Sequence, residues 1–287
     1  MTRLDVKKTY KLYIGGKFPR SESGHTLEVH SPKGAHLAHV AQASRKDARD
    51  AVAAARSAQS GWAQATSYNR GQVLYRIAEM LEGRREQFVD EIRSGEGVTA
   101  RNATRQVDES IDAWVWFAGW ADKYAQLAGQ ANPVAGPYFN LSVPEPSGVV
   151  VAFAPNSSSG QSLLGVVHAV APAIVAGNAV VLVSHPLQPL PAMSFAEVLN
   201  SSDVPGGVVN ILTGERDSLA PWLAEHADVN CLDLSGAHEL EWASLQESGA
   251  ETLKRVITPL TAPEPHSLER IRAFTEVKTI WHTKALG

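Results

Sequence analysis

The chain has 287 residues, 44 % of them hydrophobic and 20 % charged, which supplies a sizeable core and excludes intrinsic disorder. A formal net charge of −4 argues against a nucleic-acid binder, which carries a basic excess. The single cysteine excludes an intramolecular disulfide framework and any Cys-rich zinc site.

In chain order, residues 11–18 predict a strand, with Leu12 and Ile14 at alternate sites before a Gly15–Gly16 turn. A second short strand is predicted over 26–30. Residues 42–80 turn helical: Ala48, Ala51, Val52 and Ala55 share one face, as do Val73, Ile77, Met80 and Leu81. Ser44 with Asp47 three residues on predicts an N-terminal capping box. Helix continues over 86–93 and 107–128, the latter rich in aromatics (Trp114, Trp116, Phe117, Trp120, Tyr124) read as packing rather than a ligand cage. Four prolines between 133 and 146 break the helical region. Beyond them, apolar strands (149–154, 178–183, 208–212, 231–234) alternate with helices (163–176, 191–200, 219–226). That rhythm predicts βαβ units around a parallel sheet buried on both faces. Residues 239–257 read as helix. A Pro-rich link over 259–265 then leads to a helix at 268–273 and a last strand at 275–281.

No apolar run is long enough to span a bilayer, and no apolar stretch follows the basic residues Arg3, Lys7 and Lys8. The expectation is a cytoplasmic protein with no membrane or nucleic-acid partner. His25, His30, His36 and His39 cluster in sequence without a nearby cysteine or acidic ligand set, so no metal site is expected.

Several stretches together resemble the aldehyde dehydrogenase superfamily. KLYIGG at 11–16 and EVHSP at 28–32 resemble opening strands of the type LFINGEW and EVINPATG. AGWADK at 118–123 is similar to the helix before the cofactor domain, and residues 146–155 resemble P-x-G-V-V-x-x-I-x-P. APAIVAGNAVVL at 171–182, DVPGGVVNIL at 203–212 and FTEVKTIW at 274–281 also match in family order. The resemblance implies an α/β fold: a Rossmann-like parallel sheet with flanking helices, plus a small β oligomerisation element. It divides the chain into a hairpin and helical part (1–132), an oligomerisation hairpin (133–147), a Rossmann-like part (148–258) and a linker, helix and C-terminal strand (259–287).

The departures from the family are as informative. After residues 234–237, which resemble the F-T-G-S turn, family members continue into a catalytic domain. That domain carries a Gly-Gln-x-Cys nucleophile, a general-base Glu in ELGG and an E-x-F-G-P cofactor contact. Fewer than 40 residues separate Ala237 from Phe274, too few for such a domain, and none of these motifs is present. The one thiol, Cys231, lacks the Gly-Gln context and any cationic neighbour in sequence, and reads as structural. No catalytic residue is therefore assigned. The family's oxyanion-hole Asn in P-W-N-F-P falls at Ser157, or at Asn156 after a one-residue slip. In the L-K-P-S-E motif the ribose-binding Lys becomes Val183 and the Glu becomes Pro186. The F-T-G-S serine becomes Ala237. Glu239 and Glu241 are expected in the first helical turn beyond it, where they would repel a phosphate. Loss of NAD(P) binding is the expectation. The remaining weak candidates for cofactor or anion binding are Asn156, Ser157, Ser158, Ser159 and Gly160, in a Ser-rich strand-to-helix loop, with Ser235 and Gly236.

What survives is tied to assembly: the Pro-bounded extended segment at 133–143 and the C-terminal strand. Phe274, Thr275, Val277, Thr279, Ile280 and Trp281 are the expected interface residues. An unpartnered strand is an aggregation hazard, and a copy of this chain offers no catalytic domain on which to dock. The expected partner is a full-length aldehyde dehydrogenase subunit, which would hold the NAD(P); this chain resembles the degenerate second half of family 16 type aldehyde dehydrogenases. Two alternatives stay open: an NAD(P)-dependent aldehyde oxidoreductase with an unfamiliar site, and a nucleotide- or anion-sensing module on the Ser-rich loop.

Overall fold

The computed structural model describes residue 4 and residues 6–155 and 161–284. The N-terminal part forms a small sheet of β1 (Thr9–Tyr10), β2 (Thr26–His30) and β3 (His36–Ala41), in the order β1-β3-β2. The strand expected over 11–18 is shorter and lies earlier. Leu12 and Tyr13 are buried, but Ile14 and Lys17 bridge across a tight turn in which Gly15 and Gly16 have φ of 61° and 74°. Only glycine enters that conformation at little cost. The predicted helical stretch divides into α1 (Arg45–Gln64) and α2 (Ser67–Glu82), followed by α3 (Arg85–Glu96), α4 (Ala100–Trp120) and α5 (Tyr124–Ala128). The capping box forms as predicted: the Asp47 N–H donates to Ser44 Oγ at 3.3 Å and the Ser44 N–H donates to Asp47 Oδ2 at 2.8 Å.

The central sheet contains β6 (Val149–Phe153), β7 (Ala179–Val183), β8 (Val209–Leu212), β9 (Cys231–Asp233) and β10 (Arg255–Ile257). All are parallel, in the order β10-β9-β6-β7-β8. This is the strand order of a doubly wound dinucleotide-binding half, and it reverses direction between β6 and β9. Along β6, Val149, Val151 and Phe153 belong to one buried cluster and Val150 and Ala152 to another. The first cluster is completed by α1, α8 (Arg216–Glu225) and α9 (Trp242–Ala250). The second is completed by α6 (Leu164–Val175), α7 (Leu190–Asn200) and the layer of α2, α3 and α4 outside them. Trp114 of α4 stacks on Phe195 of α7 at 5.6 Å, which makes it core.

The helix predicted across 239–257 needs correction. Only Trp242–Ala250 is α-helical; Leu253 turns the chain with φ 55°, and residues 255–257 add the fifth strand. A three-residue strand is too short to show a period of its own, and the helical pattern before it masks the change. Leu253 is 92 % exposed, so its side chain adds no packing to offset the left-handed backbone. Leu253→Gly is expected to raise stability by about 1 kcal/mol, read as an increase in Tm.

A third sheet stands apart. It contains β4 (Gln130–Asn132), β5 (Tyr138–Pro146) and β11 (Thr275–Thr283), antiparallel in the order β11-β5-β4 and fed by the short helix α10 (Leu268–Arg272). The first hairpin strand thus starts at Gln130, before the prolines, and β11 runs two residues past the predicted end. Nine residue pairs hold β5 to β11, from Thr275 opposite Pro146 to Thr283 opposite Tyr138. No helix among the described residues is long and apolar enough to cross a membrane.

Candidate functional site

In an open parallel sheet, ligands bind outside the carboxyl ends of the strands where the order reverses, here between β6 and β9. Arg216, the first residue of α8, occupies that edge while only 3 % exposed. Its Nε donates to the Ser184 carbonyl at 3.2 Å. Its Nη1 donates to the Gly236 carbonyl at 3.3 Å and to Glu239 Oε1 at 2.5 Å. Its Nη2 donates to the Ala154 carbonyl and, at 3.4 Å, to the Val183 carbonyl. One guanidinium thus ties together the ends of β6, β7 and β9. Burial works against its charge, and Glu239 opposes that effect.

Glu239 was expected in the first turn of a helix, but α9 starts at Trp242 and the carboxylate instead neutralises Arg216. Gly236 lies so close to β6 that a Cβ there would sit 2.2 Å from the Phe153 carbonyl oxygen. Ser235 is also engaged: its N–H donates to Asp233 Oδ1 at 3.2 Å, and its Oγ accepts from Arg270 Nη2 at 3.2 Å. Arg270 itself forms a buried ion pair with Asp233. The candidates Asn156, Ser157, Ser158, Ser159 and Gly160 lie outside the described residues. Val183, at the family's ribose-binding lysine position, ends β7 fully buried.

Cys231 opens β9 with no exposure, and burial first, then the nearby Asp233, pushes its thiol pKa up. A buried, protonated thiol is a poor nucleophile. The rings of His30, His36 and His39 follow one another at 5.6 and 4.6 Å. Among the described residues no group of three or more His, Cys, Asp or Glu side chains is placed to hold a metal ion.

Two histidines near the edge are held neutral. Burial, with His266 and Arg270 adding to it for His168 and Arg216 for His185, lowers each from 6.5 to about 4, while Glu239 works the other way on His185. A folded-state pKa below the unfolded one means stability is complete above pH 6.5 and is lost as pH falls from 6.5 through about 4. The expected loss is on the order of 2 kcal/mol for each histidine. His168→Leu should flatten a plot of Tm against pH over this range; an unaltered slope would contradict the assignment.

The interface candidates divide. Val277, Thr279 and Trp281 are exposed on β11 and Ile280 is half-buried. Phe274 and Thr275, expected at the interface, are corrected to the chain's own core. The Phe274 ring lies 4.9 Å under the Arg270 guanidinium, and Thr275 Oγ1 hydrogen-bonds Tyr124 Oη at 2.9 Å. The reason is the short α10, which packs against α6 and sets the start of β11 beside Tyr124 of α5 before the strand leaves the body. Arg216 and Arg270 were missed in the sequence. The helix predicted over 219–226 starts three residues earlier, at Arg216, so the cation in its first turn, which the macrodipole disfavours unless something else holds it, became visible only in the structure.

The strand order and the strapped carboxyl edge define a Rossmann-like dinucleotide-domain fold carrying an appended three-stranded sheet. The aldehyde dehydrogenase family model matches residues 18–268, and the chain belongs to that family. The Bacillus subtilis (strain 168) protein DhaS, whose name assigns it provisionally to the aldehyde dehydrogenases, is 30 % identical over 92 % of this chain and 52 % of its own length. Human cytosolic 10-formyltetrahydrofolate dehydrogenase is 30 % identical over 91 % of this chain and 29 % of its own. Among solved structures, an NAD-dependent aldehyde dehydrogenase from Sinorhizobium meliloti superposes with a TM-score of 0.79 at 27 % identity, covering 88 % of this chain and 50 % of that one. This chain therefore spans about half the length, or less, of these relatives.

Proposed function

We propose that the chain is a non-catalytic member of the aldehyde dehydrogenase family that assembles with a full-length aldehyde dehydrogenase in a structural or regulatory role. The observation that carries this reading is the β4–β5–β11 sheet. It presents Phe139, Leu141, Val277 and Trp281 to solvent, with the whole length of β11 as a free edge. Opposite residues share a face, so Trp281 and Val277 lie on one face and Phe139 and Leu141 on the other. An apolar two-faced strand pair with an open edge suits docking on another subunit.

The chemistry of the carboxyl edge supports the non-catalytic half. The single thiol is buried within a strand, Arg216 is engaged with Glu239 and with main-chain carbonyls, and Ser235 is engaged with Arg270 and Asp233, where a dinucleotide would need free groups. The cavity at the switch point holds about 240 Å³, below the roughly 300–1,000 Å³ range of ligand pockets. Among the described residues of this edge, Arg216, Glu239 and Ser235 do not fit a dinucleotide, and the reading places the NAD(P) in the partner subunit and the assembly in the cytoplasm.

The test is a tagged pull-down from the native host with native mass measurement of the eluate. Recovery of a full-length aldehyde dehydrogenase in fixed ratio is expected. A stable homo-oligomer alone, or aldehyde-dependent NADH formation by the isolated chain, would overturn the reading.

A further inference from the structure

We draw no further inference here: the strongest candidate, the groove of about 970 Å³ between α2 and α4 rimmed by the exposed Tyr68, Tyr75 and Val115, is an unpartnered face, and nothing in the structure shows what covers it.

Discussion

Val277→Asp combined with Trp281→Asp is expected to abolish co-purification with a full-length aldehyde dehydrogenase while leaving the fold of this chain intact. The two side chains are 61 % and 59 % exposed and lie four residues apart on one face of β11. Truncating one well-packed interface anchor costs 2 kcal/mol or more, so the pair is expected to cost about 4 kcal/mol, roughly a thousandfold in affinity. Placing a carboxylate in a desolvated contact adds to that loss. Within the chain itself the same exposure means little packing is lost, and Tm should move only slightly. Native mass spectrometry of the variant reads both quantities: the partner should disappear from the complex while the free chain stays folded. Retention of the partner by the double variant would place the contact elsewhere.

The second large effect is expected at Arg216. Arg216→Met keeps much of the side-chain volume but removes every donor that joins the ends of β6, β7 and β9, and leaves Glu239 without its counter-ion. Breaking one partner of a buried charged network costs about 3–5 kcal/mol. Chemical denaturation is expected to show a loss of that size. Adding Glu239→Gln should restore part of it by removing the stranded carboxylate, a coupling that a double-mutant cycle measures directly. Additive losses would mean that the ion pair contributes little beyond the carbonyl contacts.

Much of the fold was legible because the central strands are largely apolar, β6 and β7 at every position, and the helices between them keep one apolar face. The parallel sheet, its first four strands and the Ser44 capping box follow from such local patterns. Residues 255–257 did not, because a strand that short carries no period, and its role as the fifth strand comes from pairing with Cys231–Asp233. The site was less legible still. Arg216 acts through carbonyls that follow three separate strands, and Arg270 through a carboxylate 37 positions away, so neither arrangement leaves a mark at fixed spacing. Glu239 shows the same limit from the other side. Its position near a helix start suggested electrostatic exclusion of phosphate, whereas its nearest cation, contributed by α8, decides what it does. Phe274 and Thr275 looked like surface strand residues because alternation alone does not say where a strand leaves the core.

The pairing of β5 with β11 joins residues roughly 130–145 positions apart, with the entire parallel sheet lying between them in the chain. Closing so long a loop has to wait until the intervening segment is compact, because the entropy lost on closure is returned only by contacts made late. The small sheet is therefore the final element to form. A chain with a misfolded or truncated middle cannot bring its two ends into register, and so never forms the β5–β11 pair on which the proposed docking surface rests. In the proposed assembly, folding order would act as a gate: only a chain that has completed its interior would have a surface to offer, and the proposed partner would be protected from capturing incomplete copies.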